Sequence, residues 1–155
     1  MSLTLGFTEA GREFVRTRLL PALRAAGLDP VDPFSLVADE RIAAVEGMPE
    51  GLARRKAFER LATEIAETNR RVLDAAELVV AVLDGSDVDS GTAAEIGYAF
   101  ARGKRIVGYR SDLRRAGENE GVRVNLQVEH FVRASGGTVV TTLDELVSAV
   151  APGTA

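Results

Sequence analysis

Two adjoining stretches decide how this chain is read: Leu78-Val-Val-Ala-Val-Leu83, and Asp84-Gly-Ser-Asp-Val-Asp89-Ser-Gly-Thr-Ala-Ala-Glu95-Ile-Gly-Tyr-Ala99. The first is apolar without alternation, the pattern of a strand buried on both faces of a parallel sheet. The second packs three aspartates, two glycines and several hydroxyls between that strand and a helix start. Free backbone N–H groups at such a start favour hydroxyl and anionic ligands. Ligands of open α/β sheets bind outside the carboxyl ends of the strands, and Asp84 to Gly91 lies at such an end.

Outward from this centre, strand and helix patterns alternate. Towards the N-terminus, Phe14, Val15, Leu19, Ala22, Leu23 and Ala26 recur at helical spacing, with Thr8 as N-cap, Gly27 as C-cap and a kink at Pro21. Leu28 to Asp32 reads as a short strand. Residues 34–51, with Gly47, Pro49 and Gly51, read as a mobile loop containing one helical turn, a candidate substrate lid. Leu52 to Ala76 is a long amphipathic helix whose inward stripe is Phe58, Leu61, Ala62, Ile65, Val72, Leu73 and Ala76. Asn69 sits within that stripe, where an amide needs partners: a loop backbone or a ligand.

Beyond the centre come a helix from Thr92 to Arg102, a strand from Arg105 to Tyr109 and a polar loop to Gly121. A helix carrying Val124, Val128, Phe131 and Val132 follows. A strand from Thr138 to Val140 and a helix from Leu143 to Val150 complete the chain. The pattern predicts one α/β domain over residues 1–155, with about five parallel strands in a flavodoxin-like three-layer order. The first strand is short, because only Ser2 to Leu5 precede Gly6.

Composition narrows the chemistry. The 155 residues carry a formal charge of −4, which argues against nucleic acid as partner and favours a small neutral or singly charged molecule. There is no cysteine and one histidine, His130, so thiolate catalysis and Cys- or His-rich metal sites are excluded. Acid–base or nucleophilic work must fall mainly to carboxylates. No run suits a membrane span or signal peptide, and a cytoplasmic location is expected. The Asp87 loop fails as an EF-hand, since Tyr98 stands where the last ligand should be, and no Walker lysine follows.

Glu95 has two readings. Thr92-Ala-Ala-Glu95 matches a capping box, with Glu95 at N3. Alternatively Glu95 is a carboxylate kept ionised in the first helical turn by the helix dipole, as a glycosyl-transfer nucleophile must be.

The segment from Asp84 to Ala99 resembles the signature of the nucleoside 2-deoxyribosyltransferase family. Weaker similarities run in order from Gly6-Phe7-Thr8-Glu9-Ala10 through Asn69, Ala76-Glu77-Leu78 and Gly103-Lys104 to Val124-Asn125-Leu126. The resemblance implies a flavodoxin-like fold, no cofactor, and nucleosides or nucleotides and free bases as partners. It implies that Glu95 attacks C1′ of a deoxyribose to form a covalent glycosyl-enzyme. Asp89 would hold sugar hydroxyls or assist proton transfer to the leaving base. Asn69 stands where some members have an Asp that contacts the base. Asp84, Gly85, Ser90 and Gly91 would line the substrate site.

Asn125 matches an Asn that reaches a neighbouring subunit's site, implying a homo-oligomer of at least two chains with shared sites; as a residue, it is also an ordinary helix cap. Tyr98 and His130 read as packing or surface residues. Arg110, Arg114 and Arg115, beside Ser111, are either a grip for a 5′-phosphate or, more commonly for such a run, a solvated face. Three functions follow: deoxyribosyl transfer, an N-glycosidase for nucleosides or their 5′-monophosphates, and a nucleotide-sensing module without turnover.

Overall fold

A computed structural model describes residues 2–4 and 9–151. Its sheet is parallel throughout, with four strands in the order β1-β2-β3-β4: β1 (Ser2–Thr4), β2 (Leu78–Val82), β3 (Arg105–Tyr109) and β4 (Val139–Val140). β2 sits between β1, in register Ser2 to Val79, and β3, in register Leu78 to Arg105. Leu83 extends this ladder by donating its N–H to the Tyr109 carbonyl.

The apolar run of β2 is buried because each face meets a different set of helices. Val80 and Val82 pack with Val15, Leu19, Leu20, Leu23, Leu146 and Val150. Val79, Ala81 and Leu83 pack with Leu73, Ile96, Ala99, Val124, Val128 and Val132. The helices behind these contacts are α1 (Glu9–Phe14), a π-helical turn (Val15–Leu19), α2 (Leu20–Ala25), α4 (Leu52–Ala75), α5 (Ser90–Ala101), α6 (Leu126–Ala134) and α7 (Leu143–Val150). α3 (Asp39–Glu46) lies outside both clusters and has no buried residue.

Four elements differ from the sequence reading. The kink at Pro21 is a widened turn: the Leu20 N–H bonds the Val15 carbonyl, five residues back. Proline has no N–H and its ring crowds the carbonyl four residues earlier, so the turn just before it opens. The strand expected over Leu28 to Asp32 is reduced to a single bridge at Val31, leaving four strands among the described residues rather than five. Pro30 and Pro33 flank it and cannot donate to a ladder. The expected loop after Phe34 folds instead as a 3-10 turn (Pro33–Ser35), capped by Asp32, and the eight-residue α3. Finally, only part of the α4 stripe turns inward: Leu61, Leu73 and Ala76 are buried, whereas Phe58 is exposed. α4 is met there by α3, through a fork between the Arg41 guanidinium and the Glu64 carboxylate (2.5 and 2.8 Å). The proposed cap Thr8 lies outside the described residues.

Candidate active site

α5 begins earlier than its sequence suggested, at Ser90, because Asp89 is the N-cap. Its Oδ1 accepts from the Gly91 and Thr92 N–H groups (3.0 and 3.1 Å). Glu95 therefore lies well inside the helix, not at N3, and the capping-box reading fails. Thr92 is buried in the helix wall. The early start also moves Glu95 beyond the first turn, where the helix dipole is strongest.

Asn69 on α4 faces Glu95 on α5, its Nδ2 donating to Glu95 Oε1 at 3.5 Å. The two line a groove of about 340 Å³ together with Gly91, Arg70, Leu73 and Tyr98. One tyrosine and several ionic links join the groove's walls. The Tyr98 hydroxyl donates to Asp74 Oδ1 (2.8 Å), which also accepts from Arg102 Nε (3.0 Å), while Asp74 Oδ2 takes Arg70 (2.7 Å). Lys104 Nζ closes the set on the Asp74 carbonyl (2.7 Å). Asp74 thus fixes the spacing of α4 and α5, and with it the distance from Asn69 to Glu95.

Burial pushes the Glu95 carboxyl up to about 7, helped by the negative charge of Asp89 and opposed by the Asn69 hydrogen bond. This corrects the expectation of a carboxylate held ionised by the helix. Near neutral pH the group is shared between its two forms, the poise expected of a carboxyl that must be an anion in one step and tolerate a proton in another.

A consequence for stability follows. The folded protein keeps a proton on Glu95 between its ordinary value of 4.5 and about 7, where the unfolded chain releases it. Stability is therefore lost as pH rises through this window. Glu95→Gln is expected to raise stability by about 1–2 kcal/mol near pH 8, after allowance for solvent access, with the gain vanishing near pH 4. Thermal unfolding of both proteins at the two pH values checks this; an equal difference at both would contradict it.

The remaining site candidates separate. Gly91 lines the groove, Asp89 is not among its lining residues but acts on Glu95 through its charge, and Ser90 is exposed at the first position of α5. Asp84 instead binds the loop after β3, accepting from Ser111 Oγ (2.7 Å) and the Asp112 N–H (2.8 Å). Gly85 has φ +126°, a conformation open to glycine and strained for other residues, and its carbonyl accepts from Arg110. Asn125 caps α6, accepting from the Gln127 and Val128 N–H groups, and its amide donates to Glu118 (2.7 Å). Within one chain it is not among the residues lining the Asn69–Glu95 groove.

Sequence reasoning missed Tyr98, set aside as packing although it stands three residues after Glu95 and so on the same helical face. It also missed Arg70, Leu73 and the Asp74 hub. His130 packs at the surface against Phe100, as read. Among the described residues no three His, Asp or Glu side chains gather to hold a metal ion, and no helix is long and apolar enough to cross a membrane.

The groove lies between α4 and α5 of a parallel α/β fold, with one half-buried carboxyl facing an amide. The family model for nucleoside 2-deoxyribosyltransferases matches residues 4–127, and the chain belongs to that family, among glycosyltransferases and related N-glycoside hydrolases. Solved structures share the fold. A conserved protein from Enterococcus faecalis is 23% identical, with a TM-score of 0.65 over 96% of this chain and 94% of that one. A 2-desoxiribosyltransferase from Leishmania mexicana is 17% identical, with a TM-score of 0.67 over 99% and 97%. A CMP N-glycosidase from Clostridium botulinum is 15% identical, with a TM-score of 0.54 over 96% and 95%. No curated protein matches this chain in sequence.

Proposed function

We propose that the protein cleaves the N-glycosidic bond of 2′-deoxynucleosides and transfers the sugar to another base through a covalent deoxyribosyl-Glu95 intermediate. The observation that carries this reading is the Glu95 carboxyl, half-buried in the groove, held by Asn69 and poised near neutrality. Ionised Glu95 attacks C1′; an oxygen–carbon bond forms as the carbon–nitrogen bond breaks, and the bonding pair leaves with the base, which takes a proton. An incoming base then attacks C1′ and frees the carboxylate, giving up its own N–H proton to replace the one the departing base took from Asp89 or water. Asn69 can donate to and accept from a base edge, while Asp89, whose Oδ1 caps α5, presents its other oxygen to sugar hydroxyls or the departing base. Asp84, Gly85, Ser90 and Gly91 shape the surrounding loop.

The strand order, with a residual bridge at Val31, supports a flavodoxin-like sheet in which Leu28 to Asp32 would be the fifth, outer strand. Exposed Leu52 and Phe58 on α4 support association of copies, in which Asn125 would reach a neighbouring site.

Incubation with 2′-deoxyinosine and free adenine tests the function. Formation of 2′-deoxyadenosine is expected. Hypoxanthine release that ignores adenine would instead make the protein a hydrolase, the reading that the fold shared with a CMP N-glycosidase also admits. Saturable nucleoside binding without base release would make it a sensing module.

The pH dependence adds a second check. Activity should climb about tenfold per pH unit below pH 7 and level off above it, as Glu95 ionises. Asp89→Asn keeps an acceptor for the helix cap but removes the charge that raises Glu95, so the rising limb should move to lower pH. An unmoved limb would mean that another group controls it.

A further inference from the structure

A second cavity, of about 390 Å³, lies beyond the carboxyl ends of β3 and β4. Four arginines line it, Arg110, Arg114, Arg115 and Arg123, with the hydroxyls of Ser111 and Thr141, against one carboxylate, Asp112. In a chain whose net charge is −4, this is a concentrated positive site.

The local carboxylates are already engaged. Asp112 is held by Arg114 Nε and Nη2, Glu145 by the Thr141 hydroxyl and the Thr141 and Thr142 N–H groups, and Glu129 by Arg133 and the Arg123 N–H. Arg110 is only 2% exposed, so it is not part of a solvated face, contrary to the commoner reading of this run. Its guanidinium donates to three carbonyls, those of Leu83, Gly85 and Arg114, and to no carboxylate. Among the described residues its Nε–H has no acceptor. The Arg123 guanidinium likewise has no partner among the described residues. The one carboxylate near enough to feel Arg110, Asp112, is hydrogen-bonded by Arg114 and shared among four guanidinium groups; a buried cation with an unmet donor in such a cavity is a chemistry completed by an oxyanion. Arginine forks match phosphate in geometry and charge.

We propose that this cavity binds the dianion of a phosphate monoester or free phosphate. The inference is separate from the Glu95 reading, since none of these residues lines the Asn69–Glu95 groove. The two sites are nonetheless coupled by structure: Arg110 holds the Leu83 and Gly85 carbonyls, and Asp84 holds Ser111, so a phosphate here would touch the loop leading to Asp89.

The test is titration of inorganic phosphate into the full chain at constant ionic strength, by calorimetry and phosphorus NMR. Arg115→Gln/Arg123→Gln, two exposed side chains whose loss leaves the core untouched, is run beside it. One saturable site per chain is expected, weakened about tenfold or more in the double variant. No saturation in the folded protein, or equal affinity in the variant, would overturn the proposal. Competition names the source. Displacement by 2′-deoxyadenosine 5′-monophosphate but not by 2′-deoxyadenosine supports a nucleotide's own phosphate; displacement by neither supports a separate phosphate ligand. Glu95→Gln should bind phosphate as the parent does, so failure of the catalytic reading would leave this result standing. Loss of phosphate binding in Glu95→Gln would place the anion elsewhere and overturn the assignment.

Discussion

Glu95→Ala is expected to lower deoxyribosyl exchange by at least about a thousandfold, while leaving the protein folded. The covalent route splits one difficult displacement into two easier ones, and both pass through this carboxylate. Alanine removes the nucleophile and leaves Asn69 and the Asp74 links between α4 and α5 in place. Saturable nucleoside binding should therefore survive with the loss falling on turnover. Exchange kinetics from 2′-deoxyinosine to adenine, alongside equilibrium binding, separate the two. Retained exchange in this variant would remove Glu95 from the mechanism.

Gly137→Ala is expected to destabilise the fold by about 4 kcal/mol or more, a large fraction of the roughly 5–15 kcal/mol that holds a typical domain folded. Gly137 links α6 to β4, where its backbone runs against β3. A methyl group there would overlap the carbonyl oxygen of Ile106 outright and lie 2.7 Å from its carbon. Backbone, unlike a flexible side-chain end, cannot yield, and Ile106 is fully buried in the central sheet. Gly136 beside it has φ +82° but open space for a methyl group, so its alanine variant carries only backbone strain. Chemical denaturation of the two variants should show the larger loss at Gly137. The reverse order would contradict this account of the β3–β4 junction.

The central sheet was legible because burial on both faces leaves an unmistakable trace, Leu78 to Leu83. Glu95 and Asp89 stand out as candidates because strand, polar loop and helix follow one another without interruption. The capping of α5 misled because Asp89 and Thr92 are both good caps, and only the fold decides that Asp89 takes Gly91 and Thr92. The ionisation of Glu95 was not legible in the same way, since it is burial of the side chain, with the charge of Asp89, that raises the carboxyl to about 7. Leu28 to Asp32 looked like a strand by composition, yet its flanking prolines leave one bridge. Arg110 looked like surface from its charged neighbours. Nothing in the spacing of an arginine after a strand says that strand-end carbonyls will bury it.

The most direct measurement is mass analysis of the protein quenched in acid during turnover of a 2′-deoxynucleoside. The account predicts an added deoxyribosyl unit on the peptide containing Glu95, absent in Glu95→Ala and dispersed by added base. Base release with no sugar on that peptide, or sugar on another residue, would contradict it.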